Sequence, residues 1–285
     1  MLESAAYPVV FAFVLAVVLL VVQQGVVRIV GREEHLRRSI EKGNVARTVL
    51  HGGDVLSVFL IAAGVVANVV HGEDVAKDLM FASAFGVTAV LVFSVTSRLG
   101  MKALLRARLL PELDRGNAAA GVAAAAHSVA TGIITAKAVG GDDWRSLGLS
   151  VAFFAIAQAT LHLYVVLFRA LTSYDDAEEI LGENLAAALS YGGITVALSI
   201  LIGRAVEGTF TGWVSSLKGY GAALVYGLAL YVVRQVFVQT ILLGSGFSLH
   251  KGKLDHVIAR ERNVAMAALE AASYIGTALA LTRIG

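Results

Sequence analysis

Cysteine is absent from this 285-residue sequence, which excludes disulfides, thiolate metal sites and cysteine nucleophiles. Charge is scarce: 15% of the residues are Asp, Glu, Lys or Arg, and the net charge is +2. Soluble domains carry about 25% charged residues. There is no basic tail to suggest nucleic acid as a partner. Enzyme signatures are missing too. No HExxH occurs, and "GSGFSLHKGK" lacks the glycine spacing of a phosphate loop and follows an apolar run instead of a strand. The opening "MLESAAYP" has no basic segment of the kind that begins a cleavable signal, and the apolar run behind it is longer than a signal core.

Apolar sequence fills that space. Hydrophobic residues make up 57% of the chain, and "AAYPVVFAFVLAVVLLVVQQGVV" runs 23 residues without a charge. About 20 apolar residues cross a bilayer as a helix. Eight such runs can be read, at about 6–30, 45–70, 79–99, 118–139, 147–171, 185–206, 220–243 and 264–284. The expected fold is all-α: a polytopic transmembrane helical bundle of about eight spans in one membrane domain, 1–285.

The second, fourth, sixth and eighth runs open on one phrase, in which an asparagine is followed two residues later by alanine: Asn44, Asn117, Asn184 and Asn263. This divides the chain into four two-helix units, about 1–72, 77–140, 146–208 and 217–285. With two spans each, the units point the same way, as parallel repeats. An asparagine at a helix start accepts a bond from a backbone N–H that would otherwise be orphaned near lipid. The alanines behind it let a neighbouring backbone come close. Within-unit loops hold Arg32, Arg37, Arg38 and Lys42, then Arg98, Lys102, Arg106, Arg108 and Arg115, then Lys251, Lys253, Arg260 and Arg262. Between-unit loops hold one Lys or Arg each. Basic residues favour the cytoplasmic side, so the expected topology puts the within-unit loops inside and both termini outside. The acidic third loop, "TSYDDAEEILGEN", dissents. Trp144 and Trp213 are expected in outer loops at the interface.

"SYDDAEEILGENLAAALSYGGITVALSI" and "IARERNVAMAALEAASYIGTALAL" resemble the bacterial membrane family called domain of unknown function 350, built from paired-helix units with a Gly-Asn-x-Ala-x-Ala type phrase. Glycine precedes Asn44 and Asn117, whereas Glu183 and Arg262 take that place in the last two units. The resemblance implies a multi-pass protein of the bacterial inner membrane and brings no activity and no catalytic residues.

Function is therefore sought among polar groups at membrane depth, which are costly there. Positions three, seven and ten past each asparagine share one helical stripe. They are Arg47, His51 and Asp54; Ala120, Ala124 and His127; Ala187, Tyr191 and Ile194; and Met266, Glu270 and Ser273. Asp54 and His127 lie roughly 15 Å past their asparagines, near mid-bilayer. The other spans add Gln23, Gln24, Gln158, His162, Arg234, Gln235 and Gln239, while Lys137 stands near an outer end, from which it can reach the interface. Arg234 is too deep to reach water easily and needs an acid; Glu270 and Asp54 are the two carboxylates well inside the spans.

Three functions follow as expectations. The first is a transporter or channel for protons or a small cationic solute, with His51, Asp54, His127, Gln158, His162, Tyr191, Arg234, Gln235, Gln239 and Glu270 along a polar path between repeats. The second is a membrane scaffold or stress sensor binding a cytoplasmic protein through the within-unit loops, including the basic amphipathic "MKALLRARLLPELDRGN". The third is a haem-b redox protein with His51, His127 or His162 as axial ligands. Otherwise no cofactor or metal is expected. The lipid bilayer is the sure partner, and the Ala- and Gly-rich faces suit internal packing or a homo-oligomer.

Overall fold

The structure, a computed structural model, describes residues 2–31, 36–104, 109–208, 210–248 and 252–284. Arg32, Arg106, Arg108 and Lys251, counted in the loop charges, lie outside the described residues. The elements are α1 (Leu2–Gly31), α2 (Leu36–Glu41), α3 (Val45–Val69), α4 (Val75–Leu104), α5 (Leu109–Arg115), α6 (Ala118–Ala138), α7 (Trp144–Leu171), α8 (Asp176–Leu181), α9 (Leu185–Val206), α10 (Trp213–Val232), α11 (Lys253–Ala259) and α12 (Val264–Ile284). A π-helical stretch, Val233–Leu242, continues α10. Eight of these helices are long and apolar enough to cross a membrane, so the protein is an all-helical, multi-pass membrane protein. Four times a long helix, a short helix, an asparagine and a second long helix follow one another.

Several helices start earlier than their apolar runs. Trp144 and Trp213 are the first residues of α7 and α10, not loop residues. At α7 the cause is visible: Asp143 accepts from the Ser146 backbone N–H at 2.7 Å, so the helix is capped before the apolar run begins.

Small residues set the main packing. α3 packs on α6, α6 on α9, and α9 on α12, forming a row. A Cβ added to Gly121 would fall 2.5 Å from the Ala46 Cα, and one on Gly193 would meet Ala271, so these backbones approach closely because side chains are missing between them. The remaining long helices form a second layer over the row. α4 lies against α3 and α6, α7 against α6 and α9, and α10 against α9, while α1 rests on α3 and α4. The middle of the row, α6 and α9, is therefore the most deeply buried part of the molecule.

The short helices share one side of the bundle, since side-chain amides of one unit reach the short helix of the next. On the opposite side Lys77 meets Asp142 at 2.5 Å and Lys137 meets Glu207 at 2.8 Å. All four of these side chains are partly or well exposed, so these pairs contribute little stability.

Candidate functional site

Each asparagine caps its helix. The Oδ1 atoms accept from the backbone N–H of Arg47, Ala120, Ala187 and Met266 at 2.9, 3.1, 3.2 and 3.0 Å. Three also face outward from their unit: Asn44 donates its amide to the Leu113 carbonyl, Asn117 to Ile180 and Asn184 to Ile258, at 2.9, 3.0 and 3.0 Å. The residue before each asparagine stands at positive φ: Gly43 at 66°, Gly116 at 90°, Glu183 at 65° and Arg262 at 52°. It closes the short helix in the left-handed region that glycine tolerates best. The glycine of the phrase is thus a backbone requirement, and Glu183 and Arg262 meet it under strain.

The stripe three, seven and ten past each asparagine faces inward: its residues are buried, except Met266 and Ser273, which are half-buried. It makes three polar clusters, with Asp54 and His127 ten residues past their asparagines and Glu270 a turn nearer the short helices. In the first, Asp54 on α3 accepts from the Ser128 hydroxyl of α6 at 2.5 Å and from Gln23 Nε2 of α1 at 3.4 Å, with His51 buried a turn earlier. Asp54 lines a cavity of about 130 Å³ that runs past Ser94 and Ser97 to Arg98 and Lys102 at the short-helix end of α4. The Ser94 and Ser97 hydroxyls are buried and meet no hydrogen-bond partner among the described residues. Arg47, on the same stripe, pairs with Asp114 of the next unit at 2.5 Å and so sets the mouth, not the middle, of the bundle.

In the second cluster His127 on α6 lies against His162 on α7, ring centroids 5.5 Å apart and edge to face. His127 Nδ1 is 3.3 Å from the Tyr191 hydroxyl of α9. His162 Nδ1–H donates to the Gln158 carbonyl at 2.6 Å, and Gln158 Nε2 donates to Thr131 at 3.3 Å. A Cβ on Gly100 would fall 2.5 and 2.6 Å from the two Nε2 atoms. The two imidazoles thus touch each other and press their Nε2 atoms against the α4 backbone where Gly100 has no side chain, which leaves no room for an iron porphyrin between them.

The third cluster surrounds Arg234. Its Nε donates to Glu270 at 2.9 Å, and its Nη2 to Asp255 of α11 at 2.5 Å. Tyr274 donates to the same Glu270 oxygen at 3.1 Å, and the Ser173 backbone N–H donates to Asp255 at 2.9 Å. With its amide oxygen turned toward the guanidinium, Gln235 accepts from Arg234 at 3.3 Å and from Tyr231 at 3.0 Å. The wider turn of the π stretch brings Arg234, Gln235 and Gln239 all inward. Gln239 donates to the Gly246 carbonyl at 3.2 Å, folding the following loop back onto the helix.

Of the two acids expected to meet Arg234, Glu270 is its partner, while Asp54 is bound by Ser128 and Gln23 instead. Asp255 was missed because it lies in a charged, loop-like stretch. A signal existed: Asp176 and Asp255 both stand eight residues before their asparagine, and both are buried. Burial pushes the Asp176 carboxyl up to about 7, although Arg169 pulls the other way. Nearby, the Asn117 amide and Arg115 hold the Glu112 carboxyl below its usual range. Lys137, expected to reach the interface, ends on Glu207. Among the described residues no group of His, Asp and Glu has the arrangement of a metal site.

Comparison with known proteins agrees with the helical architecture. Over 176 residues the chain is 25% identical to a "UPF0719 transmembrane protein" of Aquifex aeolicus (strain VF5), covering 60% of this chain and 62% of that relative. No solved structure matches it. The model of the family described as Domain of Unknown Function (DUF350) matches residues 1–139 and 143–284, and the chain belongs to that family.

Proposed function

We propose that this protein moves protons across a bacterial inner membrane, with Asp54 as the group that takes up and releases them. The cavity carries this reading: a carboxylate at mid-depth is joined to one membrane side by a lining that includes two buried hydroxyls without partners among the described residues. Such a lining suits water, which needs polar partners to be held. Arg98 and Lys102 stand on the same cavity and oppose entry of a metal cation. A proton passed along water and hydroxyls is less exposed to that barrier. A wider cleft of about 720 Å³, lined by Lys137, Asp143, Arg145 and Glu207 among others, opens on the opposite side. Ser128 and His127, adjacent in sequence, link Asp54 to the histidine cluster. In this reading Arg234, Gln235, Gln239 and Glu270 hold helices together and carry no solute, since the guanidinium is held by two carboxylates. The basic within-unit loops face the cytoplasm and both termini face out.

Proteoliposomes carrying a pH gradient test this. The wild-type protein should dissipate the gradient, and Asp54→Asn should slow it by at least ~10-fold, a loss of about 1.4 kcal/mol of barrier lowering. If the wild type moves neither protons nor monovalent cations, divalent cations or polyamines, the transport reading fails and the scaffold reading, with a partner bound on the short-helix side, takes its place.

A further inference from the structure

The row α3–α6–α9–α12 has two ends, and each carries half of the contact made three times inside it. We propose that copies of this protein associate head to tail, with α12 of one copy seated against α3 and α1 of the next as though it were the preceding unit.

Positions two, six, nine and thirteen past each asparagine face the following unit. In α9 they are Ala186, Ser190, Gly193 and Ala197, all buried. The same positions are buried in α3 and α6, Ala126 alone being half-buried. In α12 they are Ala265, Leu269, Ala272 and Gly276, and all four are exposed. The position eight past each asparagine faces the preceding unit. There Ala125 meets Gly53, Gly192 meets Ala126 and Ala271 meets Gly193. Its counterpart in α3 is Gly52, which is exposed and has nothing within 4 Å of where a Cβ would stand. The second layer repeats the pattern. α4 and α7 each pack on two helices of the row, whereas among the described residues α1 packs mainly on α3 of the row and exposes Phe13, Val17 and Val21.

The asparagines give an independent sign, because it concerns hydrogen bonds instead of shape. Asn44, Asn117 and Asn184 donate to a carbonyl of the next unit's short helix. Leu113 and Ile180, two of those acceptors, stand four residues before their own asparagine. Asn263 caps α12 but is exposed, and its amide meets no acceptor among the described residues. Ile40 stands four residues before Asn44, and no asparagine reaches its carbonyl among the described residues. The Ile40 carbonyl accepts from the Gly43 backbone N–H at 3.0 Å, as Leu113 and Ile180 accept from Gly116 and Glu183, and only the asparagine bond of the inner units has no counterpart there among the described residues. This carbonyl and the Asn263 amide lie on the same side of the bundle, at opposite ends of the row. A second copy supplies both partners at once, in the geometry that already joins successive units. Because the two surfaces differ, the contact is heterologous: it closes into a ring if the rotation allows and otherwise continues.

The absence of native cysteine makes the test clean. A Cβ on Gly53 would lie 3.0 Å from Ala125 Cβ, so cysteines at the equivalent positions of two copies come within disulfide reach. Differently tagged Gly52→Cys and Ala272→Cys copies, coexpressed and oxidised in native membranes, should give a mixed cross-linked dimer, and neither variant alone should give one. No product from the mixture, or the same yield from Ala272→Cys alone, would overturn the proposal. Gly52→Trp has room in the single copy, so it should lower the assembly mass by light scattering while leaving the melting temperature of the monomer in place. An unchanged mass would equally overturn it, and a wild type that is already monomeric means that lipid alone covers these ends.

Discussion

At the scale of single residues, burial decides which charges matter. Arg234, Glu270 and Asp255 are each at most 3% exposed, so none can fall back on water when a partner is lost. Arg234→Gln should therefore destabilise the protein by about 3–5 kcal/mol. Adding Glu270→Gln should recover part of that loss, and Asp255→Asn more, as read by thermal unfolding in detergent. If the double variant is no better than the single one, the pair is not coupled. Asp176 behaves differently because its folded-state carboxyl is raised to about 7 from an ordinary value of 3.8, chiefly by burial. The folded state then holds a proton that the unfolded state has lost, so stability falls as pH rises between those values. The slope is at most about 1.4 kcal/mol per pH unit. Asp176→Asn should flatten melting temperature against pH between pH 5 and 7; an unchanged slope would mean another group sets it. Asp54 and Arg234 were legible in the sequence as deep charges, but which acid met which base was not, because Asp255 reaches Arg234 by folding a loop helix back onto a span.

At the scale of elements, the repeated phrase is a joint between two helices. Its first residue ends a short helix at positive φ and its asparagine starts the next helix. A side chain in that conformation costs about 1–2 kcal/mol. Arg262, at φ 52°, bears this cost, and Arg262→Gly should raise stability by about 1 kcal/mol. A lower melting temperature would show that the arginine's contacts outweigh its strain. The caps were readable from sequence because capping is local: asparagine and the N–H it satisfies are three residues apart. The second bond of Asn44, Asn117 and Asn184 was not, because its acceptor is 63 to 74 residues away. The π stretch was also invisible, since "VRQVFVQTIL" reads as an ordinary amphipathic helix and its wider turn follows from packing Arg234 and Gln239 on one side.

At the scale of the whole molecule, eight crossings require the loop around Glu73 and the loop around Lys42 to stand on opposite sides of the membrane. In intact cells, an impermeant maleimide should label Glu73→Cys directly and Lys42→Cys only after permeabilisation. Labelling of both from outside would contradict the alternation of spans, and the reverse pattern would invert the proposed orientation. The row of α3, α6, α9 and α12 also carries the polar clusters. Along that row Asp54 stands on α3, His127 on α6 and Glu270 on α12, so the polar groups spread sideways through the bundle.

The sequence by itself determined that the chain lies in a membrane, that it crosses it about eight times, and where four of its helices begin. These follow from composition, from the length of apolar runs and from contacts between near neighbours in the chain. Only the tertiary structure decided that Arg234 is shared by Glu270 and Asp255, that Asp54 faces a cavity, and that the row of small-residue helices is left open at both ends. Each of those depends on residues far apart in the chain being brought within a few ångströms, and the close backbone approach that does so is a property of two helices together.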